Sequence, residues 1–171
     1  MAESEMHKHM DRVSKINYYL DIAQTVSERS TCLRKCYGAI IVKNDTIIST
    51  GYNGAPRGRK NCSDIGRCTR EELNIPRGER YEMCRSVHSE ANAIIAAPRD
   101  QMLSSDLYMC CTEPGTGKVI GGICCCMMCK RLVLNAGISR VIVREDAENY
   151  TVFNTSDWIE NDDSLEGKFG Y

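Results

Sequence analysis

The chain has 171 residues, a formal net charge of −1, and 26% charged residues. That length suits one domain with its own core, and the balanced charge argues against a nucleic-acid partner, which selects for a basic excess or stripe. No apolar run approaches the ~20 residues that span a bilayer, and Met1 to Met10 lacks the apolar core of a signal peptide, so the expectation is a cytoplasmic protein without a membrane partner.

Residues from about Arg12 to Arg29 read as an amphipathic helix, because Ile16, Tyr19, Leu20, Ala23 and Val26 recur at three- and four-residue steps. Cys36 to Val42, a turn at Lys43-Asn44-Asp45, and Thr46 to Thr50 form a hairpin signal. Gly51 to Arg80 is loop-like, and a loop of that length inside a compact domain is functional or pinned. It carries a short helical turn over 69–74 and a basic cluster, Arg57, Arg59 and Lys60, able to hold one phosphate as readily as a polymer. Ser86 to Ala97 reads as a helix stopped by Pro98. Asp106 to Thr112 reads as a strand, Glu113 to Gly122 as a Gly-rich loop or hairpin, and Cys126 to Ala136 as a helix with Gly137 as its C-terminal cap. Ser139 to Arg144 is a strand, and Asp157 to Tyr171 is an acidic, then Gly-rich surface segment or tail. Helices alternating with strands after a hairpin predict an α/β fold: a three-layer α/β/α domain with a mixed sheet. One domain over 1–171 is expected, with its core at about 12–150.

Cysteine is the strongest compositional signal. There are 11, an odd number, and without an export signal metal binding or catalysis is favoured over disulfides. Cys36, Cys110 and Cys111 read as small buried apolar residues. His88 opens one predicted helix, and Cys126 and Cys129 open another as C-x-x-C. One imidazole and two thiolates are three ligands for zinc with a fourth position left for water, the mark of a catalytic site. The helix N-terminus favours the ionised thiols. Glu90, two residues after His88, is placed to move protons without ligating the metal. H-x-E and C-x-x-C are each weak alone. Together, each opening a helix, they make the signature of zinc deaminases acting on nucleobases.

Here the sequence resembles the cytidine and deoxycytidylate deaminase superfamily over roughly Ser30 to Tyr150. The resemblance rests on the run Ile48 to Gly58, on Glu71-Glu72-Leu73, on Gly78 to Arg85, on His88 to Ile94, and on Leu134-Asn135-Ala136-Gly137-Ile138. It implies the cytidine-deaminase-like form of the α/β/α fold. It also implies hydrolytic deamination of dCMP to dUMP and ammonia by a zinc-activated water, supplying dUMP for thymidylate synthesis. His88, Cys126 and Cys129 would be the ligands and Glu90 the proton shuttle. Asn53 and Tyr150 would contact substrate, with Gly51, Tyr52, Asn53 and Gly54 a candidate allosteric segment for dCTP and dTTP in a homohexamer. Cys32, Cys62, Cys68 and Cys84 would hold a second, structural zinc that pins the long loop. The family has Pro before the first Cys of C-x-x-C, whereas this chain has Cys125 within Cys124-Cys125-Cys126. Cys124 and Cys125 are therefore competing thiols, and the spacing selects Cys126. Deamination of another cytosine nucleotide or nucleobase, and a zinc-stapled binding module without catalysis, are the alternatives.

Overall fold

A computed structural model describes residues 12–161, so the reading of Met1 to Met10 and most of the expected tail lie outside the described residues. In chain order the elements are α1 (Lys15–Ser27), β1 (Cys36–Lys43), β2 (Thr46–Tyr52), α2 (Cys62–Ile65), α3 (Thr69–Glu72) and α4 (Ser89–Ile95). They continue with α5 (Arg99–Met102), β3 (Asp106–Thr112), α6 (Met127–Ala136), β4 (Arg140–Arg144), β5 (Tyr150–Asn154) and α7 (Thr155–Glu160).

Local chemistry sets these boundaries. The first helix starts at Lys15 because the Ser14 side chain accepts the Asn17 N–H at 3.2 Å as an N-cap. The hairpin turns on Asn44 and Asp45, both at positive φ, which matches the right-handed twist of the paired strands. Asp45 then binds Lys15 at 2.6 Å and accepts from the Tyr19 hydroxyl, tying the hairpin tip to α1. Gly137 ends α6 in the left-handed conformation, as its position in the sequence requires.

The five strands lie in the order β2-β1-β3-β4-β5; β3 and β4 are parallel and the other pairs antiparallel. Alternation along the strands divides the core between the two faces. Ile40, Tyr108, Cys110 and Ile142 pack under α1 with Tyr19, Leu20 and Ala23. Ala39, Ile41, Met109, Cys111 and Val141 face Ala93 of α4 and Cys129 and Val133 of α6. The result is the expected three-layer α/β/α arrangement on a mixed sheet. Cys110 and Cys111 are both fully buried, one on each face.

Gly38 marks the closest approach of sheet and helix. A Cβ there would sit 2.0 Å from the Ala23 carbonyl oxygen and 2.5 Å from the Ser27 nitrogen, both backbone atoms of α1. Gly38→Ala is expected to push α1 off the sheet and destabilise the protein by roughly 1–3 kcal/mol; a denaturation midpoint equal to wild type would show that α1 gives way without loss.

Four elements escape the sequence reading, two of them the short helices α2 and α5. β5 is a short edge strand, and Thr155 to Glu160 is a helix where the segment from Asp157 was expected to be loose. Trp158 anchors it: the ring packs on the core beside Phe153, with Lys130 over its face at 5.1 Å.

The long segment after β2 is pinned rather than free. Gly54 and Val87 exchange backbone hydrogen bonds of 3.2 and 2.8 Å, closing its two ends. Inside it, Thr31 donates to the Asn61 side chain at 3.0 Å. The buried Arg70 donates to the carbonyls of Pro76 and Glu79 at 2.6 and 2.8 Å.

Candidate active site

The bridge at Val87 delivers the chain directly to His88, which is the N-cap of α4. Cys126 is the N-cap of α6, its sulfur accepting the Cys129 N–H at 3.5 Å. Two helices from distant parts of the chain thus point their N-termini at one place. Gly51 permits this on the α4 side, since a Cβ there would lie 2.3 Å from Ala93 N and Ser89 O. Any side chain at residue 51 would displace the helix that carries His88 and Glu90.

The sulfurs of Cys126 and Cys129 each lie 3.4 Å from the same nitrogen, Nδ1 of His88. The three ligand-type atoms are all within 4.8 Å of one another. Zn–S and Zn–N bonds of about 2.3 and 2.0–2.1 Å at a tetrahedral angle separate sulfur from nitrogen by about 3.6 Å. The donor set and its spacing therefore fit zinc. The protonation pattern agrees with this. The Cys126 thiol is held down at about 4, first by hydrogen bonding with Cys129 and then by His88, against its burial. Cys129 is driven up by the same contact with Cys126, by burial and by Glu90. Burial pushes His88 down, but hydrogen bonding to Cys126 and the charge of Glu90 raise it overall. A thiolate at Cys126 is thus already favoured, and a dication would relieve the remaining competition for a proton.

Glu90 is 4% exposed, and its carboxylate accepts from the Ser89 hydroxyl at 2.9 Å. It lies outside the three-atom group but on the same cavity of about 820 Å³ as His88 and Cys126. That volume is in the range of small-molecule sites. Cys125 does not compete with Cys126: its thiol is buried in the core, 3.6 Å from the Met109 sulfur. Cys124 faces the cavity, its thiol lowered to about 7, chiefly by hydrogen bonding with Cys125 and against burial, but it is not in the three-atom group.

A family model of the cytidine and deoxycytidylate deaminase zinc-binding region matches residues 13–145. The chain belongs to the cytidine and deoxycytidylate deaminase family. A deoxycytidylate deaminase of Mycobacterium phage D29 is 33% identical over 142 residues, covering 81% of this chain and 100% of the phage protein. The deoxycytidylate deaminase of Schizosaccharomyces pombe is 30% identical over 131 residues; these are 77% of this chain but only 37% of the yeast protein. Among solved structures, the dCMP deaminase of cyanophage S-TIM5 in its apo form superposes with a TM-score of 0.51 at 26% identity, covering 77% of this chain and 82% of that one.

The remaining expected residues divide. Asn53 lines the cavity, but its side chain is occupied in holding the wall: its oxygen accepts from Tyr37 N–H at 2.7 Å and from Ser30 at 2.6 Å, and its amide donates to the Lys35 carbonyl at 2.9 Å. The tight Asn-Gly is thus an anchor, with one amide hydrogen to spare. Gly54 serves the closing bridge, and Tyr52 is on the surface. Tyr150 is away from the cavity. It starts β5 opposite Arg144, and alternation along that strand sends Phe153 to the α4/α6 face and Tyr150 to the α1 face, where its charge reaches Tyr108. Arg57, Arg59 and Lys60 are exposed and line none of the cavity.

Cys32, Cys62, Cys68 and Cys84 all border the cavity. Burial raises the Cys62 thiol first, with Cys32, Cys68 and Cys84 adding to the shift, so the four are neighbours. Among the described residues they do not gather as closely as the His88 group does.

Sequence reasoning missed the support behind His88. The Tyr81 ring meets the His88 ring edge-on at 4.8 Å, and the Arg70 guanidinium stacks on Tyr81 at 4.5 Å. Tyr81 lies in one of the runs that carried the family resemblance, but a buried Arg in a polar loop leaves no periodic signal.

Proposed function

We propose that the protein is a zinc-dependent dCMP deaminase that hydrolyses dCMP to dUMP and ammonia, supplying dUMP for thymidylate synthesis. The observation that carries this reading is the convergence of His88, Cys126 and Cys129, with Glu90 beside them in one cavity. The relatives named deoxycytidylate deaminases favour the nucleotide as substrate.

His88, Cys126 and Cys129 would hold the zinc with one position left for water, and the metal would supply a lowering of that water's pKa toward ~7. Glu90 would take one proton from the attacking water and pass it to the ring nitrogen next to C4, then take the proton of the new C4 hydroxyl and deliver it to the amine, so that the C4–N bond breaks, C4 becomes a carbonyl and ammonia leaves. Ser89 holds the carboxylate in place for these transfers. Arg70 and Tyr81 fix the plane of the His88 ring. Cys32, Cys62, Cys68 and Cys84 close on a second, structural zinc that stiffens the loop segment over the cavity. Assembly as a homohexamer and control by dCTP and dTTP belong to the same reading and rest on the family resemblance.

The test is deamination followed by absorbance on dCMP, deoxycytidine and dCTP, with and without a chelator. We expect dCMP to be preferred, chelation to abolish turnover, and added zinc to restore it. Equal efficiency on deoxycytidine and dCMP would refute the monophosphate as substrate, and indifference to the chelator would refute the metal.

A further inference from the structure

A nucleotide substrate brings a phosphate monoester, and the exposed basic cluster at 57–60 is not on the cavity to receive it. Five cations are: Arg34, Lys35, Arg70, Arg77 and Arg85. Three of these have work already. Arg34 pairs with Glu71 at 3.1 Å. Arg70 is buried, bonded to the Pro76 and Glu79 carbonyls and stacked on Tyr81. Arg85 donates from Nε to the Lys60 carbonyl at 2.6 Å. The side chains of Arg77 and Lys35 have neither a hydrogen bond nor an ion pair among the described residues.

We propose that Arg77 and Lys35 form the clamp for the 5′-phosphate of the substrate and set the preference for a nucleotide over a nucleoside. The proposal rests on the nucleotide reading above and names the residues that would enforce it.

The two cations address one region of the wall. Both charges reach the Cys111 thiol, which burial raises to about 11 and which Lys35 and Arg77 each pull back. Burial pushes the Tyr37 hydroxyl up, Cys111 and Glu90 add to the rise, and Arg77 opposes it. Tyr37, Glu90, Lys35 and Arg77 line one cavity, so a nucleotide with its base at Glu90 has both cations on the walls around it. Lys35 is placed by its own backbone, since its carbonyl is the acceptor that holds the Asn53 amide. Arg77 is placed by its neighbours, because Arg70 grips the carbonyls of Pro76 and Glu79 on either side of it. A dianion is matched by two unpaired cations, and a guanidinium offers it two parallel N–H bonds. Arg70 is a positioning residue here: it acts through the loop it holds.

The test compares kcat/KM for dCMP and for deoxycytidine in wild type, Arg77→Ala, Arg77→Lys and Lys35→Ala, with Arg57→Ala/Arg59→Ala as the control. A hydrogen-bonded charge pair at a partly exposed site is worth about tenfold or more in binding. We expect Arg77→Ala to cut the dCMP-to-deoxycytidine ratio by about tenfold or more, mainly through KM for dCMP. Lys35→Ala should cut it by a smaller factor, and Arg77→Lys should keep part of it. Inorganic phosphate should compete with dCMP in wild type and lose that competition in Arg77→Ala. The control should keep the wild-type ratio. An unchanged ratio in both Arg77→Ala and Lys35→Ala overturns the clamp while leaving dCMP deamination standing. A control that loses the ratio moves the phosphate site to the 57–60 cluster and also overturns it. A wild type with no preference for dCMP overturns both the clamp and the nucleotide reading.

Discussion

Glu90→Gln is expected to fold and to keep its metal while losing turnover by at least ~10²–10⁴-fold, the usual contribution of a general acid–base group. The loss should sit at or beyond the upper end, because one carboxylate serves several proton transfers in sequence. The substitution is nearly isosteric, and the amide oxygen can still accept the Ser89 hydroxyl that now binds the carboxylate at 2.9 Å. Glu90 is buried, so removing its charge relieves a desolvated group rather than creating one. It lies outside the His88, Cys126 and Cys129 group, so metal content should not fall. Zinc by elemental analysis and kcat by absorbance, measured on the same preparation, separate the two effects. A zinc-loaded Glu90→Gln protein with near-normal kcat would sink the mechanism.

Cys126→Ser is expected to lose the catalytic zinc and all measurable turnover while the fold survives. Serine is among the best N-cap residues, so α6 keeps an oxygen to accept the Cys129 N–H where the sulfur does so now. What disappears is the soft thiolate 3.4 Å from His88 Nδ1. Cys125→Pro should retain metal, because the Cys125 sulfur contacts Met109 in the core and not the cluster. Elemental analysis across the set also counts the second site. We expect two zinc ions per chain in wild type, one in Cys126→Ser, and one in Cys62→Ser/Cys68→Ser. If Cys125→Pro lost the metal and Cys126→Ser kept it, the ligand frame would be wrong. A wild-type content near one, unchanged in the double variant, would remove the structural site.

Much of the fold was readable because hydrophobic period and capping agree. The strand expected at Asp106 to Thr112 has those bounds, and Gly137 ends its helix as its position demanded. His88, Glu90, Cys126 and Cys129 were readable because each pair opens a helix at short spacing, a local pattern that survives without coordinates. Edge strand β5 was not, since five residues with only every second one packed give little periodic signal. The position of Tyr150 was not legible for a related reason: its face depends on strand register, which the sequence does not fix when the strand itself is unseen. The cations on the cavity were not legible either. Proximity in sequence favoured Arg57, Arg59 and Lys60, whereas the cavity is bordered by Lys35 from before β1 and Arg77 from beyond α3.

The bridge between Gly54 and Val87 separates the molecule into parts that can change at different rates. The segment from 55 to 86 leaves and re-enters at this pair, one residue before His88, and between its ends it is tied back to Thr31 and Arg34. Ring-closure entropy rises only as the logarithm of loop length, by about 0.6 kcal/mol for each doubling. Insertions or deletions at the exposed turns of this segment therefore leave the sheet and the His88 helix in register. The freedom is confined to those turns, because Arg70 and Tyr81 inside the segment back the His88 ring, so a graft between relatives would have to carry that pair with it.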